Sequence, residues 1–519
     1  MEGNSIDTVL AYIEQHLSPK TEEKNKFGEV FTPMSLVNKM LDTLPPTVWN
    51  DPTLKWLDPA NGMGNFPIAA YLRLFYGFRT THAGQFVGLL TTISLDQSLD
   101  QSLDYNPGLT LVLPDEESRR KHIVENMLFM VELNPKNIAT SKILFQKLAP
   151  KVDPNIIQMH KKDGFLAADV TMKFPHGIVS EFDIILGNPP YNRGGIKRPD
   201  TRKRSKRSKE KQHLLGVKKE TIWDKFVIQS MTKLKENGHL LFIHPIGWFH
   251  PGKYDPVRHL LLSRQIVTLR IYRYSQSVKE FSGSGEITMA YYLMENTPIY
   301  KKTTIHGTLG QREQMKLHGN SILLLNHSSI MSKLMSKSSF WENNANFKHT
   351  AVPCTPGGAN KQVAGVYENG EIHIVGTQEQ HVDQLKKKLI ISGRNYPRVY
   401  FDKGDYGLVG SEVNYWVGSK LSMIRDFLKT KLAAFLTKEL KFRQNFVEYK
   451  YFPDITQIQQ NPAPQMTDAW LAHYFNFSAE EQNVIQATEY PRRSYTLKET
   501  TCSGKTRRVR IDSKEGMKE

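Results

Sequence analysis

The sequence predicts an α/β fold, a mainly parallel sheet laced with helices and followed by a smaller α+β module. Three observations predict it. Between residues 55 and 234, short apolar runs alternate with segments of helical spacing. Two of the runs exit directly into turns built for ligand contact, Asp58 to Phe66 and Gly187 to Tyr191. After about Asn296 the strand–helix alternation gives way to a polar stretch and then to short strands mixed with aromatic and basic residues.

Taken in order, Ile6, Val9, Leu10, Ile13 and Leu17 lie on one face of a helix that Pro19 ends, and Lys20 to Lys26 is a charged linker. Phe27-Gly28-Glu29-Val30-Phe31-Thr32-Pro33 precedes Leu36, Val37, Met40 and Leu41 at helical spacing. Thr32-Pro33 reads as an N-cap with proline in the first turn. Lys55-Trp56-Leu57 is a strand that runs into Asp58-Pro59-Ala60-Asn61-Gly62-Met63-Gly64-Asn65-Phe66 and then a helix. The glycines let backbone approach a ligand, and the helix start offers N–H donors. An acid directly before the loop favours a cationic or hydroxylated ligand over a phosphate.

Residues 77–120 read as an insertion, with the tandem SLDQSLDQSLD from Ser94 to Asp104 as a solvated loop. Met127 to Val131 is the next strand, with Glu132 at its end, where an acid suits a ribose diol. Ile156 to His160 follows, with Asp163 just past its exit. Phe182 to Leu186 is a buried strand ended by Gly187. Asn188-Pro189-Pro190-Tyr191 cannot continue it, because two prolines have no N–H for the ladder. The stiff turn holds two carbonyls, an amide and an aromatic ring beyond the strand end, where open α/β sheets bind ligands. Later strands are His239 to Pro245, Gln265 to Tyr272 and Ile287 to Leu293, the last ones suggesting an antiparallel edge.

The chain has 519 residues, 39% hydrophobic and 23% charged, enough for two to four domains. Two cysteines, Cys354 and Cys502, exclude a disulfide framework and a Cys-rich zinc site, and no metal is expected. No apolar run approaches the ~20 residues of a membrane span. The first residues lack a signal-peptide pattern, so a soluble, cytoplasmic protein without a membrane partner is expected. A net charge of +17 favours a polyanion, most simply nucleic acid. Arg193 to Lys219 is almost continuously basic and abuts the Asn-Pro-Pro-Tyr turn. It suits a phosphate backbone, or a nuclear-localisation-type patch. A second basic and aromatic patch, Ser392 to Phe401, precedes a Lys- and Leu-rich helix from Lys420 to Phe442.

Phe-Gly-Glu-Val-Phe-Thr-Pro, the Asp58–Phe66 loop, the strand-end acids Glu132 and Asp163, and Asn-Pro-Pro-Tyr stand in one order. In this the chain resembles the gamma-class N6-adenine DNA methyltransferases of restriction–modification systems, over roughly residues 24–296. The resemblance implies a Rossmann-like methyltransferase sheet with a C-terminal α+β target-recognition domain. The expected layout is an N-terminal helix and linker at 1–26 and an S-adenosylmethionine-dependent domain at 27–296, including the 77–120 insertion and a 193–219 basic loop. A linker at 297–345, a target-recognition domain at 346–480 and a basic tail at 481–519 complete it.

The resemblance also implies roles. Thr32 and Pro33 would close over the methionine part of S-adenosylmethionine. Asp58, Ala60, Gly62 and Gly64 would form the cofactor loop, with Asp58 near the ammonium group. Glu132 would hold the ribose hydroxyls and Asp163 the adenine amino group. Asn188, Pro189 and Tyr191 would form the catalytic turn, with Tyr191 and Phe281 packing on a flipped base. Arg193, Lys197, Arg198, Arg202, Arg394 and Arg398 would meet DNA. Asn61 and Met63 depart from the smaller residues common in this loop, and the long gap from Gly64 to Glu132 is assigned to the insertion.

The expected partner is double-stranded DNA, with a separate cognate restriction endonuclease completing such a system. A protein glutamine-N5 or an RNA adenine methyltransferase would use the same turn, and a catalytically silent DNA-binding protein would need none of it. Deleting Lys197 to Lys211 is expected to weaken DNA binding and flatten its salt dependence, which scales as about −0.9 per phosphate contact. Binding titrations across a salt series check this; an unchanged slope would leave the run merely solvated.

Overall fold

The computed structural model describes residues 3–17, 30–90, 102–159, 164–169, 171–193, 220–281, 287–349, 356–366, 372–393, 398–409, 413–440, 447–458 and 466–489. The chain forms two compact units, Met1–Ser321 and Ile322–Glu519. No helix among the described residues is long and apolar enough to cross a membrane.

The first unit is organised on nine strands: β1 (Trp56–Asp58), β2 (Leu128–Glu132), β3 (Asn155–Gln158), β4 (Phe182–Gly187), β5 (Leu234–Pro245), β6 (Gln265–Tyr272), β7 (Met289–Glu295), β8 (Thr303–His306) and β9 (Arg312–Met315). Their order is β9-β8-β6-β7-β5-β4-β1-β2-β3. Strands β1 to β5 run parallel, and β7 lies antiparallel between β5 and β6. This is a doubly wound, Rossmann-like sheet, with strand order reversing between β1 and β4. Leu-Phe-Met-Val-Glu of β2 is buried throughout, as expected of a parallel strand covered on both faces.

Helix α1 (Gly3–Gln15) buries Ile6, Val9 and Ile13, and packs on α4 (Pro135–Leu148). Helix α2 (Met34–Leu41) packs on α3 (Asn65–Tyr76). Three more helices follow, α5 (Trp223–Met231), α6 (Asp255–Leu262) and α7 (Tyr274–Glu280).

Several sequence expectations are corrected. The antiparallel edge is formed by β9, outermost and antiparallel to β8, and not by the strands read for it; β7 is antiparallel but internal, because residue alternation carries no information on a strand's place in the sheet. The 77–120 insertion carries secondary structure that the sequence reading did not assign: strands 78–81, 86–89 and 103–106 form an antiparallel sheet, and residues 116–122 a helix. Most of the tandem repeat, residues 94–101, lies outside the described residues, as do Lys20 to Lys26. Arg73 of α3 anchors this insertion. Its buried guanidinium bonds Asp42 at 2.8 Å and lies over the Phe78 and Phe86 rings, while Phe86 N–H donates to the same carboxylate.

Residues 297–345 are not a linker. β8 and β9 extend the first sheet, and from Ile322 onward the chain enters the second unit's core. Their polar texture comes from edge strands that cover only one face.

The second unit begins with α8 (Ser328–Lys337), then β10 (Phe347–Lys348), β11 (Pro356–Val366), β12 (Ile372–Thr377), β13 (Lys388–Ser392), β14 (Val399–Asp402), β15 (Gly407–Leu408) and β16 (Val413–Val417). Two sheets result, β10-β16-β13-β14 and β12-β11-β15. The expected helix from 420 to 442 is two helices, α9 (Leu421–Leu428) and α10 (Lys431–Glu439), because Thr430 turns the chain and caps the second by accepting from Ala433 N–H. Helices α11 (Asp468–Phe475) and α12 (Ala479–Gln486) complete the unit. The expected tail therefore starts later than 481: Glu481 is buried on α12 and pairs with Lys333 of α8.

Lys388 and Asp402 form a fully buried ion pair at 2.6 Å. Lys388 Nζ also reaches the carbonyls of Asp383, Gln384 and Lys386, and Asp402 accepts from the N–H groups of Gly404 and Asp405. Removing one partner strands the other charge. Asp402→Ala is expected to lower stability by about 3–5 kcal/mol, measured by urea unfolding.

Candidate active site

The sheet's reversal brings the ends of β1 and β4 together. Gly187 ends β4 at φ +149°, and a Cβ there would stand 2.8 Å from Asp58 Oδ1. Glycine is required by both conformation and space. Asp58, last in β1, is buried, and its Oδ1 accepts from Ala60 N–H at 3.0 Å. Burial, with the nearby Glu132 charge adding to it, pushes the Asp58 carboxyl up to about 8.

Glu132 ends β2. Its Oε2 accepts from Gly62 N–H at 2.7 Å, and its Oε1 from Leu133 and Asn134 N–H at 2.9 and 2.7 Å. The acid expected at a ribose thus also fixes the loop backbone. Gly62 has φ +57°, and a Cβ there would meet the Phe31 ring at 3.1 Å. Gly64, at φ +98°, caps α3, and its Cβ would meet Ser141 Oγ at 2.8 Å. Ala60, between Asp58 and Gly62, is half-buried.

Residues 30–33 lie across this loop. Asn65 Nδ2 donates to the Thr32 carbonyl at 2.8 Å. Asn188 Nδ2 donates to the Val30 carbonyl at 3.0 Å and to Thr32 Oγ1 at 3.1 Å. Pro33 occupies the cap position of α2 without a side-chain cap, so the expectation that Thr32 caps that helix is corrected. Its hydroxyl meets Asn188 instead.

The catalytic turn predicted by sequence leaves the sheet here. Asn188 is half-buried, yet its Oδ1 is buried and accepts no hydrogen bond from the described residues. Pro189 is buried. Tyr191 is buried with its hydroxyl 2.9 Å from Met289 Sδ, and its carbonyl accepts from Ile222 N–H at 3.1 Å. Burial drives its phenol far above the usual range, so the ring is neutral. Directly after it, Asn192 and Arg193 pair antiparallel with Thr221 and Glu220. The basic run therefore leaves and returns through a two-residue neck beside the turn.

Thr32, Asp58, Ala60, Gly62, Gly64, Glu132, Asn188, Pro189 and Tyr191 are thus gathered at adjacent strand ends. Phe281 is buried just past α7, with 2% of its surface exposed. Arg398 precedes β14 in the second unit. Asp163, Lys197, Arg198, Arg202 and Arg394 lie outside the described residues.

Sequence reasoning missed Val30, Phe31, Asn61 and Asn65. Asn61 Nδ2 donates to Gly62 O and Ser141 Oγ, both at 3.1 Å. The Oδ1 atoms of Asn61 and Asn65 are buried acceptors that meet no donor among the described residues. A signal existed for Asn65: it is a polar residue at the head of the apolar run Phe66 to Ala70. Beside the Asp58 carboxyl, these acceptors could hold a hydrogen-bond-donating group. S-adenosylmethionine, with its ammonium and sulfonium, fits that donor-poor, acceptor-rich lining.

Residues 111–278 match the Eco57I restriction-modification methylase family. An uncharacterized adenine-specific methylase of Mycoplasma pneumoniae is 34% identical over 108 residues, 20% of this chain and 18% of that protein. The chain thus spans less than a fifth of that relative's length. Among solved structures, the type IIL restriction-modification enzyme MmeI in complex with DNA aligns over 91% of this chain and 78% of its own, at 10% identity and TM-score 0.47. A modification subunit of a putative type I restriction enzyme from Vibrio vulnificus aligns over 72% and 63%, at 15% identity and TM-score 0.35.

The Asp58 carboxyl ionises near 3.8 when unfolded and near 8 when folded. It therefore favours the native state at low pH, and that contribution is lost as pH rises from about 4 through about 8. Asp58→Asn, neutral at all pH, is expected to gain on the wild type across that window by at most about 1.4 kcal/mol per pH unit. It should level off above the window. Urea unfolding of both proteins at stepped pH measures the gap; a pH-independent gap would refute the assignment.

Proposed function

From the Eco57I restriction-modification methylase segment at residues 111–278, we propose that this chain is a site-specific DNA adenine-N6 methyltransferase using S-adenosylmethionine. It would act within, or derive from, a restriction–modification system. The observation that carries the proposal is the Asn188 amide. Its nitrogen is held by protein acceptors and its buried oxygen accepts from no described residue, at the strand end beside the loop from Asp58.

An exocyclic adenine amine is a poor nucleophile, because its lone pair is delocalised into the ring. Asn188 Oδ1 and the Pro189 carbonyl would accept its two N–H groups. Held that way, the nitrogen becomes more tetrahedral and its lone pair points out of the ring plane. S-adenosylmethionine supplies an electrophilic methyl group on a sulfonium. With that lone pair aimed at it, the sulfonium methyl would be displaced directly, and the amine's extra proton would pass to solvent. Positioned dipoles do this work; a strong base is not needed.

Asp58, Asn61 and Asn65 would hold the donor's cationic end, and Glu132 its ribose. Taking the base out of the duplex costs a few kcal/mol. Stacking on Tyr191 would offset part of that, at about 1–3 kcal/mol per base. The basic segment that starts and ends at the Arg193–Glu220 neck supports a polyanion as owner of the amine, and we assign base reading to the second unit.

A labelled methyl-transfer assay with duplex DNA, RNA and protein substrates tests the reading. Transfer to duplex DNA, mapped to adenine, is expected; transfer only to protein or only to RNA would overturn it. Asn188→Ala is expected to lower turnover by roughly 100- to 1,000-fold while DNA binding stays within about twofold.

A further inference from the structure

Thr32 belongs to the segment expected to cover the cofactor, but its side chain is engaged elsewhere. The atom of Asn188 that lies 3.0 Å from the Val30 carbonyl must be nitrogen, because a main-chain carbonyl only accepts. The same nitrogen lies 3.1 Å from Thr32 Oγ1. An amide nitrogen has two N–H groups, and these two acceptors use both. Turned over, the amide would set oxygen against the Val30 carbonyl and present N–H groups, not an acceptor, to an incoming amine.

Thr32 is also held from the other side, where its carbonyl accepts from Asn65 at the head of α3. The hydroxyl and the carbonyl of one residue thus face two different asparagines, one on the loop from Asp58 and one on the turn.

We propose that Thr32 is a positioning residue. With the Val30 carbonyl, its hydroxyl saturates the Asn188 nitrogen and so aims the amide oxygen at the reacting amine. The inference rests on the methyltransferase reading above. It assigns the Thr32 side chain to the acceptor amine's side of the reaction, not to cofactor affinity. The tie from Asn65 places the hydroxyl where the amide needs it.

The test compares the full-length wild type with Thr32→Val and Thr32→Ser. Turnover and KM are measured on duplex DNA, and S-adenosylmethionine affinity is measured by calorimetry without DNA. Valine keeps the shape but orphans one buried N–H, so kcat is expected to fall by roughly 10- to 100-fold. The cofactor dissociation constant should stay within about twofold, which also shows that the variant is folded. Serine, which restores the hydroxyl, should recover most of kcat.

A Thr32→Val protein with normal kcat would overturn the proposal. So would a loss of cofactor affinity that matches the loss of turnover, or a serine variant as slow as the valine one. A wild-type protein that transfers no methyl to DNA would instead overturn the functional reading, and this inference with it.

Discussion

The ends of β1 and β4 lie so close that no side chain fits at Gly187, and the molecule is arranged around that contact. A doubly wound sheet diverges where its strand order reverses, which opens a crevice beyond the strand ends. Here the crevice floor is a carboxylic acid pressed against backbone. Because Gly187 is bare, Asp58 can be buried there, and because Asp58 is buried, its proton is held far more tightly than in water. The loop from Ala60 to Gly64 wraps that acid, and Glu132 on the neighbouring strand pins the loop through Gly62. Residues 30–33 then bridge the loop and the turn.

The site's electrostatics run against those of the chain. A protein of net charge +17 places two acids and three amide oxygens that meet no donor among the described residues around these strand ends. Its basic run is confined to a segment that begins two residues past Tyr191 and returns at Glu220. On the proposed reading, a cationic donor and a polyanionic acceptor would meet these two surroundings a few residues apart in sequence. Neither field alone would bring both to one place.

Much of this was legible in the sequence for a simple reason. Parallel strands covered on both faces must be apolar, and turns at their exits must break the ladder, so Leu128 to Glu132 and Phe182 to Tyr191 announce themselves. What was not legible depends on direction or on distant partners. Nothing in Met289 to Glu295 says that it runs antiparallel between β5 and β6. The polar texture of residues 303–315 suited a linker as well as a pair of edge strands. Thr430 split a helix whose Lys and Leu spacing continued through it. In the site, strand-end residues were found and the clasp was not, because Val30, Thr32, Asn65 and Asn188 meet only after the chain has folded across 158 positions.

The outermost strand of the first sheet has a consequence of its own. β9 pairs with β8 on one side and has no partner on the other among the described residues, so its backbone presents an open ladder. Such an edge invites another chain to add a strand. Arg312 and Glu313 lie on that short strand, Gln314 is exposed, and exposed Lys316 follows. A second chain docking there would have to desolvate these charges for about four residues of pairing. The short, charged strand thus disfavours end-to-end growth of the sheet.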